Sequence, residues 1–300
     1  MSNNKLRHDW INLCVHNRDG SHATQYARRA ALKLAARQLE RDLGFRNMRA
    51  ASLGQRHLVA LVKHWQAEGL GVGTIKNRMA HLRWAAEKVG KPGVAGISNS
   101  ELGLEKRVYV TRVSKAIDLP TRTLELITDP HVHISLRLQE AFGLRREESL
   151  KIIPARAWQG DQLVLQASWT KGGRPREIPV RTDQQRSLLL EAKQFAGRGS
   201  LIPPERSYIQ HQKIYERQLS AAHISRAHGL RHGYAQRRYE ELTGRPAPVA
   251  LSEQIDGLCP QVVSQHAALP GKVSDAEARL IISGELGHAR TQITTVYLGR

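Results

Sequence analysis

Three hundred residues, 40% apolar and 24% charged, suit a globular chain of two domains, each able to bury a core. There is no apolar run long enough for a membrane span. The first twenty residues lack the continuous apolar stretch of a secretion signal, so a cytosolic protein is expected. Cys14 and Cys259 are the only two cysteines; they stand far apart and without metal-ligand spacing, which argues against a disulfide framework or a cysteine metal site. Forty-six Lys plus Arg against 27 Asp plus Glu leave a net charge of +19, which points to a polyanion partner, since each phosphate neutralised releases condensed counterions.

The charge is unevenly placed. Residues 1–100 carry 17 basic and 6 acidic side chains, a net +11 of the total +19, so this third reads as a DNA-gripping module. It also reads as helical. Ala23 to Leu43 has helical spacing in Ala31, Leu34, Ala35 and Leu39. Leu58, Leu61, Val62 and Trp65 form a second apolar stripe, ended by Glu68-Gly69-Leu70-Gly71. Thr74 is expected to cap a third helix with Ile75, Met79, Leu82, Ala86 and Val89 on its apolar face. Lys76, Arg78 and Arg83 lie off that face and are the candidate groove-facing, DNA-binding residues.

Gly90-Lys91-Pro92-Gly93 stops the third helix, and Val108 to Pro120 reads as a connector. The expected division is a basic helical domain over 1–110, a linker over 111–122 and a second domain over 123–300. The second domain opens with an apolar helix around Ile134 to Phe142. Leu163 to Trp169 and Arg176 to Val180 read as two short strands flanking Thr170-Lys171-Gly172-Gly173-Arg174-Pro175, a β-hairpin with Lys171 at its tip. The remainder is mostly helical, interrupted by a Pro/Gly-rich interval from Thr243 to Asp275. The expected fold class is therefore mainly α with a small antiparallel sheet in the second domain, a two-domain DNA clamp.

Breaking a phosphodiester without a metal ion needs an in-line nucleophile, fixed positive charge on the non-bridging oxygens and an acid for the leaving alkoxide. Such groups occur here in a telling order. Gly143-Leu144-Arg145 is followed by Glu148, then by Lys171, then by His228-Gly229-Leu230-Arg231-His232. Last come Leu286-Gly287-His288 and Tyr297. A competing HxxR exists at His223-Ile224-Ser225-Arg226, but Leu230 and His232 complete the longer pattern only around His228, and Gly229 allows close backbone approach there. The series GLRxxE, hairpin lysine, HxLRH, LGH and terminal tyrosine resembles the catalytic set of the tyrosine recombinase (phage integrase) family. The catalytic likeness covers roughly residues 130–300, and the basic helical segment is similar to that family's core-binding domain.

The resemblance implies a site-specific recombinase or integrase that cleaves and rejoins double-stranded DNA through a 3′-phosphotyrosyl intermediate, serving a mobile element. It implies that Arg145 and Arg231 clamp the scissile phosphate. Tyr297 is then the nucleophile, Lys171 the acid for the 5′-oxygen, His228 the relay for the tyrosine proton and His288 a donor to a non-bridging oxygen. Glu148 orients the arginine and histidine. No cofactor, metal or ATP is implied. Partners would be DNA and further copies of the chain: a homotetramer assembled on two DNA sites from a chain monomeric in solution, with room for accessory DNA-bending proteins.

Two departures stand out. Arg231 and His288 are separated by an interval longer than the family's, with a probable insertion at 243–275 expected to be a surface loop. Only Leu298, Gly299 and Arg300 follow Tyr297, so either the insertion takes over the exchange of contacts between protomers or the chain is truncated. The competing readings are a type IB topoisomerase and a catalytically inactive DNA-binding accessory protein.

Overall fold

The computed structural model describes residues 4–107, 110, 112–254, 270–288 and 290–300. The chain divides into two compact units, Met1–Val108 and Tyr109–Arg300, and each is described by itself.

The first unit is helical: α1 (Lys5–His16), α2 (His22–Arg41), α3 (Gln55–Ala67), α4 (Val72–Lys88) and a single turn, α5 (Pro92–Ala95). Asn4 and Ser21 cap α1 and α2 by accepting the backbone N–H of Arg7 and Thr24, satisfying donors that a helix start leaves free. Leu32, Leu39, Leu58, Leu61, Trp65, Ile75, Met79 and Leu82 are buried in one cluster, which also takes in Leu6 and Trp10. The α3 and α4 stripes thus meet as their spacing predicts, whereas α2 buries Leu32, Ala35, Ala36 and Leu39 and leaves Ala31 and Leu34 only partly covered. Helix α1, whose only buried residues are Leu6 and Trp10, has too sparse a stripe to announce itself. Thr74 is not a cap: α4 begins at Val72 behind an extended Gly71, and the Thr74 N–H donates to the Gly71 carbonyl inside the first turn.

The second unit contains α6 (Thr121–Leu124), α7 (Pro130–Phe142), α8 (Arg146–Lys151) and α9 (Pro154–Ala157). A three-stranded antiparallel sheet follows, β1 (Trp158–Gln159), β2 (Gln162–Leu165) and β3 (Arg176–Pro179). Then come α10 (Asp183–Ala196), α11 (Tyr208–Ala221), α12 (Gly229–Thr243), α13 (Pro248–Gln254), α14 (Asp275–Glu285) and α15 (Thr295–Leu298). In the sheet, Leu163 stands opposite both Trp158 and Ile178, and Leu163, Leu165 and Ile178 point into the core. The predicted strand over Leu163–Trp169 ends at Leu165, because Ala167–Trp169 coils into a 3₁₀ turn that buries Trp169. Strand β1 is too short to carry a period.

Helix α7 is apolar on more than one side. Leu138 and Phe142 join one cluster with the sheet, Leu189, Tyr234, Ile282 and Leu298. Val132 and Leu136 join another with Leu119, Leu150, Tyr215 and Leu230. A helix buried on several faces is a scaffold for whatever follows its end. It ends at Gly143, in the left-handed conformation (φ 61°), where an added Cβ would lie 2.5 Å from Tyr234 Cδ1, so only glycine fits.

Residues 114–119, which the sequence reads as connector, belong to the second unit and pack within it. The Ile117 N–H donates to the Gly229 carbonyl, Leu119 is buried, and a Cβ on Gly229 would sit 2.6 Å from the Lys115 carbonyl oxygen. The start of the 243–275 interval is also not a plain surface loop: Ala247 and Val249 are buried in the cluster that holds Tyr297 and Leu298. Residues 255–269, the middle of that interval and the position of Cys259, lie outside the described residues. No described helix is long and apolar enough to cross a membrane.

Candidate active site

Arg145 is the residue before α8, placed there by the tight turn at Gly143. Glu148, one helical turn on, folds back to accept the Arg145 backbone N–H at 2.7 Å and donor Nη1 at 2.7 Å. This reciprocal cap fixes the arginine's entry angle. Glu148 is fully buried, and its two oxygens also accept Arg176 Nη1 and Nη2 at 2.9 and 2.7 Å, a two-pronged pairing. Burial pushes the Glu148 carboxyl up, but the Arg176 hydrogen bonds and the charges of Arg176 and Arg231 outweigh it and hold the group at about 2. It is a carboxylate at any working pH.

Arg231, in the first turn of α12, has no exposed surface. Its Nη1 donates to the Gly143 carbonyl and Nη2 to the Leu286 carbonyl. Its Nε donates to the Tyr297 hydroxyl at 3.3 Å, and Nη2 lies 3.3 Å from His288 Nε2. Burial lowers the guanidinium to about 10, which leaves it charged. The sequence separates these groups by up to 154 positions; the packing of α7, α12, α14 and α15 gathers them.

Tyr297, on α15, is buried, and its hydroxyl also lies 3.4 Å from His228 Nε2. Since Arg231 Nε can only donate, the phenol accepts from it and is free to donate to His228. The Tyr297 ring stacks on His288 at 5.3 Å between centroids and lies 4.5 Å from His232. Burial and the neighbouring Arg231 and Arg145 lower His228, although one side of it is open to solvent. Burial, then Arg231, Arg145 and Arg176, bring His288 to about 3. Both imidazoles are neutral near pH 7. Because Arg231 donates toward His288 Nε2, that nitrogen is an acceptor here and its proton belongs on Nδ1.

Lys171 is exposed on the loop between β2 and β3. With Arg145, Glu148 and His228 it lines a cleft of about 710 Å³. The structure therefore brings Arg145, Glu148, His228, Arg231, His288 and Tyr297 together through their contacts, and Lys171 lines the cleft that Arg145, Glu148 and His228 share. Among the described residues no group of three or more His, Cys, Asp or Glu side chains is placed to hold a metal ion.

Lys76, Arg78 and Arg83 are drawn into contacts within the first unit. Lys76 donates to the Glu105 carbonyl, and Arg78 lies over the Trp65 ring at 5.1 Å. Arg83 donates to the Ile97 carbonyl and Asn99 Oδ1 at 2.8 and 3.0 Å. Arg83 in particular holds a loop of its own unit.

Three residues at the site escaped the sequence reading of roles. Arg176 is hidden in an ordinary strand pattern. His232 stands in the sequence only as the last letter of a motif. Gln236 donates to the Tyr297 carbonyl at 3.1 Å and exchanges hydrogen bonds with Ser114. Only the one-turn spacing of His228, His232 and Gln236 along α12 hinted at the last two.

Two family models match the chain, one described as phage integrase, N-terminal, over residues 3–95, and one described as integrase, over residues 107–237. The chain belongs to the tyrosine recombinase family. The second match stops short of His288 and Tyr297, so those two rest on the motif order and on the geometry above. No curated protein matches this sequence. Among solved structures, the tyrosine recombinase fold is shared with a lambda integrase (75–356) dimer bound to a COC′ core site, with TM-score 0.59 and 15% identity, covering 97% of this chain and 94% of that one. It is shared with the Tn1549 transposon integrase (82–397) in complex with circular intermediate DNA, with TM-score 0.52 and 13% identity over 99% and 96%. It is also shared with a lambda integrase tetramer bound to a Holliday junction, with TM-score 0.52 and 16% identity over 78% and 73%.

Proposed function

We propose that this tyrosine recombinase is a site-specific DNA recombinase or integrase serving integration or excision of a mobile element, acting through a 3′-phosphotyrosyl intermediate. One observation carries the reading: the Tyr297 hydroxyl lies within hydrogen-bond reach of both Arg231 and His228 in its own chain. Nucleophile, cation and proton acceptor already share one point.

The scissile phosphate enters the cleft beside Arg145, and its non-bridging oxygens take over the Arg231 donors that Tyr297 and His288 hold in the free chain. A phosphate oxygen opposite His288 favours the tautomer with the proton on Nε2, turning that histidine into a donor. The Tyr297 oxygen then attacks phosphorus while its proton passes to His228. The bond from phosphorus to the 5′-oxygen breaks, and Lys171 gives that oxygen its proton. The product is a DNA 3′-phosphotyrosine and a free 5′-hydroxyl. Attack by a 5′-hydroxyl from a second duplex reverses every step and completes strand transfer. No external energy source enters, because the ester energy is stored in the intermediate. Strand exchange between two duplexes needs four such sites, and the lambda integrase tetramer on a Holliday junction supports a homotetramer assembled on DNA. The basic first unit, with net +11 over its first hundred residues, supports a grip on the flanking duplex.

The test is covalent trapping on a nicked duplex carrying the ends of the chain's own element. Wild-type chain forms an adduct that survives denaturation, whereas Tyr297→Phe forms none and still binds. If the wild type also yields no adduct on a duplex it footprints, the chain is a DNA-binding accessory protein instead. Relaxation of a plasmid lacking the site, with no strand exchange, would make it a topoisomerase.

A further inference from the structure

The role of Arg176 goes beyond the catalytic set. Its side chain is 5% exposed, and each of its three nitrogens is engaged by the protein: Nη1 and Nη2 by Glu148, and Nε by the Glu285 carbonyl at 2.9 Å. Arg231 is buried as deeply, but its Nε and Nη2 also meet Tyr297 and His288, side chains that yield to phosphate in the proposed reaction. Arg176 has only Glu148 and a main-chain carbonyl as partners and is not placed to touch substrate. It does touch what holds the substrate-facing groups. Strand β3, which carries it, is the far arm of the loop bearing Lys171. The turn at Leu286-Gly287-His288 wraps so closely around it that a Cβ on Gly287 would lie 2.9 Å from Arg176 Cδ.

Charge is the deciding quantity. Glu148 faces three guanidiniums: Arg145 and Arg176 at 2.7 Å, and Arg231 at 4.0 Å. A buried carboxylate with only Arg145 and Arg231 for partners would cancel one of their two charges and draw Arg231 inward. With Arg176 present the cluster keeps two positive charges. That matches the phosphorane transition state, which carries one more negative charge than the ground-state phosphodiester.

Building on the recombinase reading above, we propose that Arg176 is a positioning residue, the dedicated counter-ion of Glu148, which leaves Arg145 and Arg231 free to act on the scissile phosphate. The arrangement also keeps Glu148 ionised, so the replacement of Arg176 has a pH signature. The charged groups facing Glu148 are Arg145 from the start of α8, Arg176 from β3 and Arg231 from α12. His228 and His288 lie beyond these guanidiniums. Arg176 is among the charges that lower His288, so its loss raises that imidazole as well; that shift persists in R176M/E148Q, whereas the Glu148 contribution does not.

The experiment is single-turnover adduct formation on the nicked duplex described above, across a pH series, for wild type, R176M, R176K and the double variant R176M/E148Q. Thermal melting and duplex binding are measured alongside. R176M is expected to slow cleavage about 100-fold with duplex affinity kept within about threefold, and to move the acid limb up by about one pH unit or more. E148Q removes the charge that Arg176 neutralises, so the double variant should recover about tenfold over R176M. R176K keeps a charge but loses the fork, so it should lie between R176M and wild type.

Wild-type rates and acid limb in R176M overturn the proposal, as does a double variant no faster than R176M. Should R176M not fold, R176K decides: a rate below wild type at unchanged duplex affinity supports the positioning role, and a wild-type rate refutes it. An adduct from wild type together with normal R176M kinetics sinks only this inference. Absence of any wild-type adduct sinks the recombinase reading itself.

Discussion

Acidification offers a sharp test of how Tyr297 is seated. His232 is 3% exposed and lies 4.5 Å from the Tyr297 ring, with a buried Nδ1 that has no hydrogen-bond partner. Burial, reinforced by His228, Lys115 and Arg231, lowers its imidazole from 6.5 to about 4. The sign follows from which state takes the proton. Below 6.5 the unfolded chain protonates this histidine while the folded chain does not, so stability falls with pH until about 4, where the folded form protonates too. At about pH 5 that difference amounts to about 2 kcal/mol. His232→Leu removes the titration and nearly conserves the packing. Urea unfolding of both chains, followed by circular dichroism at about pH 7 and about pH 5, should therefore show the stability gap between wild type and variant moving by about 2 kcal/mol in the variant's favour on acidification. A gap that stays constant within about 0.5 kcal/mol would mean that His232 is not a desolvated neutral group beneath the Tyr297 ring.

Three further outcomes follow from the same geometry. Gly229→Ala forces a Cβ against the Lys115 carbonyl and Ile117, and thermal melting should show a loss of about 1–3 kcal/mol; an unchanged melt would mean that residues 115–117 do not pack there. Lys171→Ala should slow adduct formation by about 100-fold or more on an ordinary duplex. It should recover on a duplex whose leaving 5′-oxygen is replaced by sulfur, since a thiolate leaves unprotonated; equal defects on both substrates would remove Lys171 from the acid's role. Gln236→Ala breaks the link between Ser114 and the Tyr297 carbonyl and should lower the adduct rate about tenfold while duplex binding stays intact; a rate equal to wild type would show that α15 holds Tyr297 without it.

The sequence by itself determined the helical character of both halves, the sheet hairpin and the order of the chemical groups. Those features are local. Apolar residues at helical spacing fix α2, α3 and α4, and the glycines around Lys171 mark a turn whatever surrounds them. Helix ends were less legible: Thr74 looks like a cap until the extended Gly71 starts α4 a turn earlier, and Trp169 looks like strand until burial coils its segment. The pairing of Ala247 and Val249 with Tyr297 and Leu298 could not be read at all, because nothing in a Pro/Gly-rich stretch says which core it will join.

What only the tertiary structure decided is how charge is distributed around one carboxylate. Arg145, Arg176 and Arg231 are equivalent letters in a chain with 46 basic residues. Folding puts Arg145 at the cleft, shuts Arg231 entirely inside with Tyr297 and His288 on its remaining donors, and locks Arg176 onto Glu148. The same holds in the first unit, where Arg83 is turned inward to its own loop. A guanidinium's task depends on which of its donors the protein leaves open, and that is set by long-range packing rather than by neighbours in sequence.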